Sequence, residues 1–98
     1  MSTFITTVHF TEKGIQAIRA TCDRATAFKE VAKKMGIKVT GLYWTLGAFD
    51  GLLVCEAKDE ETLTAALLQL GSLGNLRTQT GRAFDATEMQ KVLPLIPK

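Results

Sequence analysis

Residues 3–10 read Thr-Phe-Ile-Thr-Thr-Val-His-Phe, a β-branched and aromatic run that predicts a strand. Alternation splits it into two faces. Phe4, Thr6, Val8 and Phe10 share one, while Ile5, Thr7 and His9 share the other. The second face is half polar, so it meets something other than a dry layer of helices. Thr11 is placed to cap a helix, with Glu12 near the positive end of its dipole. Ile15 and Ile18 supply a short apolar stripe, Ala20-Thr21-Cys22-Asp23 breaks it, and Asp23 restarts the helix. Phe28, Val31, Ala32 and Met35 then recur at helical period, with Lys29, Glu30, Lys33 and Lys34 turned away. Gly36 stops this second helix.

Two apolar and aromatic runs follow, 37–46 and 52–57, joined by Gly47-Ala48-Phe49-Asp50-Gly51. Gly and Asp tolerate the left-handed backbone of a tight reversal, so the pair reads as a β-hairpin. Asp59-Glu60-Glu61 opens a third helix with the stripe Leu63, Ala66, Leu67, Leu70. It ends at Gly71-Ser72-Leu73-Gly74-Asn75. Residues 76–84 read as a fourth strand, weakened by Gly81. Asp85-Ala86-Thr87-Glu88 resembles a capping box before a short final helix carrying Met89, Val92 and Leu93.

Strand, helices, hairpin, helix, strand is the order of a split βαβ unit, an α+β fold. Right-handed crossovers place strands 3 and 4 on either side of strand 1, with strand 2 at an edge. The helices then cover one face of a four-stranded antiparallel sheet and leave the other open. An open face carrying Ile5 and an aromatic residue exposes apolar surface in a monomer. A second copy, packed sheet face to sheet face about a two-fold axis, covers it. Polar side chains between two such sheets would line a cavity.

Composition narrows the classes. The chain has 98 residues, 46% of them hydrophobic, with a formal net charge of +2, which fits one globular domain spanning 1–98. Near-neutral charge without basic–aromatic interleaving argues against nucleic acid as partner. No apolar stretch reaches the ~18 residues of a membrane span, and the N-terminus lacks the basic segment of a signal peptide. Cys22 and Cys55 form no motif and read as reduced thiols of a cytoplasmic protein. One histidine and scattered carboxylates offer no metal site, and nothing calls for a cofactor.

Few residues carry chemistry. His9 titrates near neutrality when unperturbed. It serves either as a ligand-binding or acid/base group on the open face, or as a strand histidine at a subunit seam. Arg77 and Arg82 lie five apart on strand 4, so at most one joins His9, where it would clamp a carboxylate. Tyr43 and Trp44 are neighbours on a strand, so one faces the helices and one faces out, toward a cavity or an interface. Asp50 either caps its own turn or reaches another subunit.

With these residues placed, the chain resembles the GYD domain family. The similarity covers Phe10-Thr11-Glu12-Lys13-Gly14-Ile15, the hairpin Tyr43-Trp44-Thr45-Leu46-Gly47-Ala48-Phe49-Asp50, Leu70 to Thr78, and Arg82-Ala83-Phe84. Phe49 stands where the family pattern has Tyr, so no role of that hydroxyl carries over. The resemblance implies a ferredoxin-like domain of the dimeric α/β-barrel kind and no particular reaction. The leading expectation is a homo-oligomeric small-ligand-binding or accessory protein, with His9, Tyr43, Trp44 and Arg82 as ligand-binding candidates and Gly47, Phe49 and Asp50 as the hairpin motif. One alternative is a cofactor-free isomerase or monooxygenase acting on a small metabolite in the barrel, with His9 as acid/base. The other is a purely structural oligomerisation module.

Overall fold

The computed structural model describes residues 1–98. Four antiparallel strands, β1 (Ser2–Phe10), β2 (Lys38–Trp44), β3 (Gly51–Ala57) and β4 (Leu76–Ala83), form one sheet in the order β2-β3-β1-β4. That is the order the crossovers require. Helices α1 (Glu12–Gln16), α2 (Thr21–Lys34) and α3 (Glu60–Ser72) follow the apolar stripes, and α4 (Ala86–Val92) ends in a 3-10 turn at Leu93–Leu95.

The caps explain the boundaries. Thr11, Asp59 and Asp85 each accept a backbone N–H three residues on, and Glu88 completes a capping box with Asp85. The restart of the second helix lies two residues earlier than the sequence suggests. Ile18–Ala20 winds as a 3-10 turn and runs straight into α2 at Thr21, so no side-chain cap at Asp23 is needed. Strand β2 ends at Trp44, and the hairpin link is therefore the six residues 45–50.

The core lies between the helices and one sheet face. Phe4, Leu53, Cys55 and Ala57 meet Phe28 and Ala32 of α2 and Leu63, Ala66 and Leu67 of α3. Thr6 is the one buried polar side chain of this layer, and its hydroxyl pairs with that of Thr80 at 2.8 Å. Burial pushes the Cys55 thiol up to about 11, whereas Cys22 is exposed. A thiol-specific chromogenic reagent is therefore expected to titrate one thiol per native chain. The Cys22→Ser variant is expected to give none until the protein is unfolded.

Only 13 of the 98 residues are buried, and the radius of gyration is 15.0 Å. A compact domain of this length has about 13 Å. The fold is open, and its longest dimension is 52 Å. Part of the reason is α4, which packs on its own 3-10 turn rather than into the core and leaves Met89, Leu93, Leu95 and Ile96 exposed.

Candidate functional site

Strand register assigns each side chain to a face. Thr3, Ile5, Thr7 and His9 of β1 lie opposite Ala83, Gly81, Gln79 and Arg77 of β4, all away from the helices. On the other side Ile5 meets Val54 and Thr7 meets Leu52, while Tyr43 of β2 lies opposite Leu52. A stripe Gly41, Val54, Ile5, Gly81 thus crosses the sheet. Tyr43 lies against Gly41, since a Cβ on Gly41 would stand 3.1 Å from its ring. Ile5 is 42% exposed and Tyr43 60%, on a face no helix covers.

Register also settles two alternatives left by the sequence. Arg77, not Arg82, is the cross-strand partner of His9. Arg82 lies opposite Phe4 on the helix side, with its guanidinium 4.5 Å from the Phe84 ring centre and 2.6 Å from a Glu88 carboxylate oxygen. It also donates to the carbonyls of Thr3 and Ala83. Arg82 therefore fastens the start of α4 to the sheet and stands away from His9. Of the aromatic pair, Tyr43 takes the open face. Trp44 turns to the helix side, where its indole N–H donates to the Thr21 hydroxyl at 2.9 Å. The four ligand-binding candidates do not converge: His9 and Tyr43 share the open face, and Trp44 and Arg82 do not.

The Arg82–Glu88 contact holds the Glu88 carboxyl below its usual range, first through the side-chain hydrogen bond and then through the Asp85 backbone. A lowered folded-state value means the contact stabilises above the unfolded carboxyl pKa and is lost as pH falls through the folded one. NMR shifts of the α4 amides are therefore expected to differ between wild type and Glu88→Gln at pH 7. The two sets should merge in acid, below the folded value.

The hairpin link is tied to the sheet. The Asp50 carboxylate accepts the Phe10 backbone N–H at 2.9 Å, and its own N–H donates to the Val8 carbonyl at 2.8 Å. Thr45 closes the link by donating its N–H to the Asp50 carbonyl and its hydroxyl to the Phe49 carbonyl. Gly47 has φ +109°, where other residues are strained. The Asp50 side chain does not cap its own turn: it satisfies the backbone at the end of β1.

One feature has no counterpart in the sequence pattern. On the helix side, beyond the core, a cleft of about 450 Å³ opens between α2, the end of α3 and the sheet. Val8, Phe10, Leu42, Phe28, Leu70 and Leu73 are among its walls, and Lys13, Arg24 and Asp50 also line it. Apolar residues that line a cleft follow the same period as those that fill a core, so periodicity carried no signal for it.

The topology and the uncovered sheet face define a ferredoxin-like split βαβ domain, with helices on one side only. The GYD domain model matches residues 4–93. The chain belongs to the GYD domain family. It is 30% identical over 90 residues, 91% of this chain and 95% of the relative, to the glutamine synthetase and cystathionine beta-lyase binding protein of Thermus thermophilus. Among solved structures it is similar to TTHA0845 of Thermus thermophilus, with TM-score 0.62 and 26% identity, covering 88% of this chain and 96% of that one. It is also similar to the 5-chloro-2-hydroxyhydroquinone dehydrochlorinase TftG of Burkholderia phenoliruptrix AC1100, with TM-score 0.64, covering 87% of this chain and 96% of that one. At 17% identity this second likeness shows the fold alone. No helix is long and apolar enough to cross a membrane.

Proposed function

We propose that the protein is an accessory protein that assembles with itself through the open sheet face and binds metabolic enzymes. The observation that supports this reading most strongly is the apolar surface left unburied. Ile5 and Tyr43 lie exposed beside half-buried Leu52 and Val54 on one flat face. A monomer gains by covering such a patch, and aromatic anchors such as Tyr43 are the residues interfaces favour. The relative named as a binding protein for glutamine synthetase and cystathionine beta-lyase supplies the class of partner.

The test uses purified glutamine synthetase and cystathionine β-lyase from this protein's own source, each immobilised in turn. Saturable binding of the wild-type protein to either enzyme supports the reading. No binding to either at micromolar concentration overturns the enzyme-partner part of it.

The His9–Arg77 register favours a second reading. With two sheets face to face, an imidazole beside a guanidinium would hold a small anionic metabolite, with His9 available as acid/base. His9→Ala should then abolish retention of that metabolite in native mass spectra while leaving stability within ~0.5 kcal/mol, as for a surface change.

A further inference from the structure

The helix-side cleft lies on the opposite side of the sheet from the face assigned to self-association, and it has a polar end. Lys13 donates its ammonium to the Leu73 carbonyl at 2.9 Å. Arg24 donates one guanidinium nitrogen to the Ala17 carbonyl at 2.9 Å and the other to the Gly14 carbonyl at 3.3 Å. Each of these nitrogens keeps a second N–H; the third nitrogen, Arg24 Nε, is buried with no acceptor. Neither cation is ion-paired, because the one salt bridge of the protein joins Arg82 to Glu88. The cleft's single carboxylate, Asp50, is engaged by the Phe10 amide.

We propose that this cleft binds a small monocarboxylic acid with an apolar aliphatic or aryl body. The body would lie among Phe28, Leu70 and Leu73, and the carboxylate would accept from Lys13 and Arg24. Apolar walls with a few polar groups at one end are the ordinary make-up of a small-molecule site, and the volume falls in the usual range of about 300–1,000 Å³. Lys13 and Arg24, two cations at the cleft with no carboxylate partner, favour a ligand that supplies one. Charge sets the valence. Lys13 and Arg24 against Asp50 give 2 − 1 = +1, which a monocarboxylate neutralises and a phosphate overshoots. Tyr43 and Leu52 also border the cleft. The proposed contacts, Phe28, Leu70, Leu73, Lys13 and Arg24, use none of the open-face residues, so the site is independent of the accessory reading.

The experiment titrates the ¹⁵N-labelled wild-type protein with sodium octanoate and, separately, with 1-octanol. Octanoate is expected to saturate and to shift the amides of Phe28, Leu70 and Leu73 while leaving Ile5 and Val54 in place. Lys13→Gln and Arg24→Gln should each weaken octanoate about tenfold or more, the effect of losing one charge-assisted hydrogen bond, and leave octanol unchanged. Lys13 is exposed, so Lys13→Gln carries the test should Arg24→Gln fail to fold. The proposal is overturned by absence of saturation at millimolar octanoate, by shifts centred on the open face, or by equal binding of octanoate to Lys13→Gln and wild type.

Discussion

Gly14→Ala is expected to destabilise the domain by about 3 kcal/mol, near the upper end of what overpacking a closed site costs. A Cβ on Gly14 would stand 2.0 Å from the carbonyl oxygen of Asn75 and 2.9 Å from its carbonyl carbon. Both are backbone atoms, so no rotamer change relieves the clash. The site cannot give easily either. The Thr11 amide donates to that same Asn75 oxygen at 3.1 Å, and the Thr11 hydroxyl donates to the Gly74 carbonyl at 2.6 Å. These bonds join the start of α1 to the loop between α3 and β4. Chemical denaturation checks the prediction: the midpoint should fall with the slope unchanged. Gly71 is the control, because a Cβ there would meet nothing within 4 Å and its φ is not positive. Gly71→Ala should change stability little.

Ile5→Lys is expected to raise the dissociation constant for self-association by about a thousandfold. Ile5 sits on the central strand β1 between Val54 and Gly81, in the middle of the open face. In an isologous pair one substitution appears twice, near the two-fold axis. Burying two like charges there costs several kcal/mol, and about 4 kcal/mol corresponds to three powers of ten. The monomer should hardly notice, because Ile5 is 42% exposed and outside the core. Sedimentation velocity of wild type and variant at matched concentrations reads the difference. A variant that associates as tightly as wild type while keeping its melting temperature would move the interface elsewhere, for instance to the exposed apolar residues of the C-terminal segment.

Local chemistry made most of the fold legible. The capping residues Thr11, Asp59 and Asp85, the stripes of α2 and α3 and the alternation in β1 all act over a few residues. Handedness rules then left one strand order. The site was less legible, because face assignment depends on register and one residue of slip inverts it. Beside the Tyr43–Trp44 pair, β2 carries a register irregularity between Val39 and Gly41, so counting along the sequence could not say which ring faces out. The same holds for Arg77 and Arg82, opposite in face by parity but assignable only through pairing with β1. Asp50 reads as a turn residue from its neighbours, yet its partner Phe10 lies 40 positions away. The cleft depends on how α2 and the end of α3 sit over the sheet, a tertiary property with no periodic signature.

The most direct test of the central claim, that the open sheet face is a self-association surface, is sedimentation velocity of the wild-type protein diluted stepwise to nanomolar concentration. A dimer or larger species persisting through the series is the predicted result. A stable, soluble monomer at every concentration would contradict it.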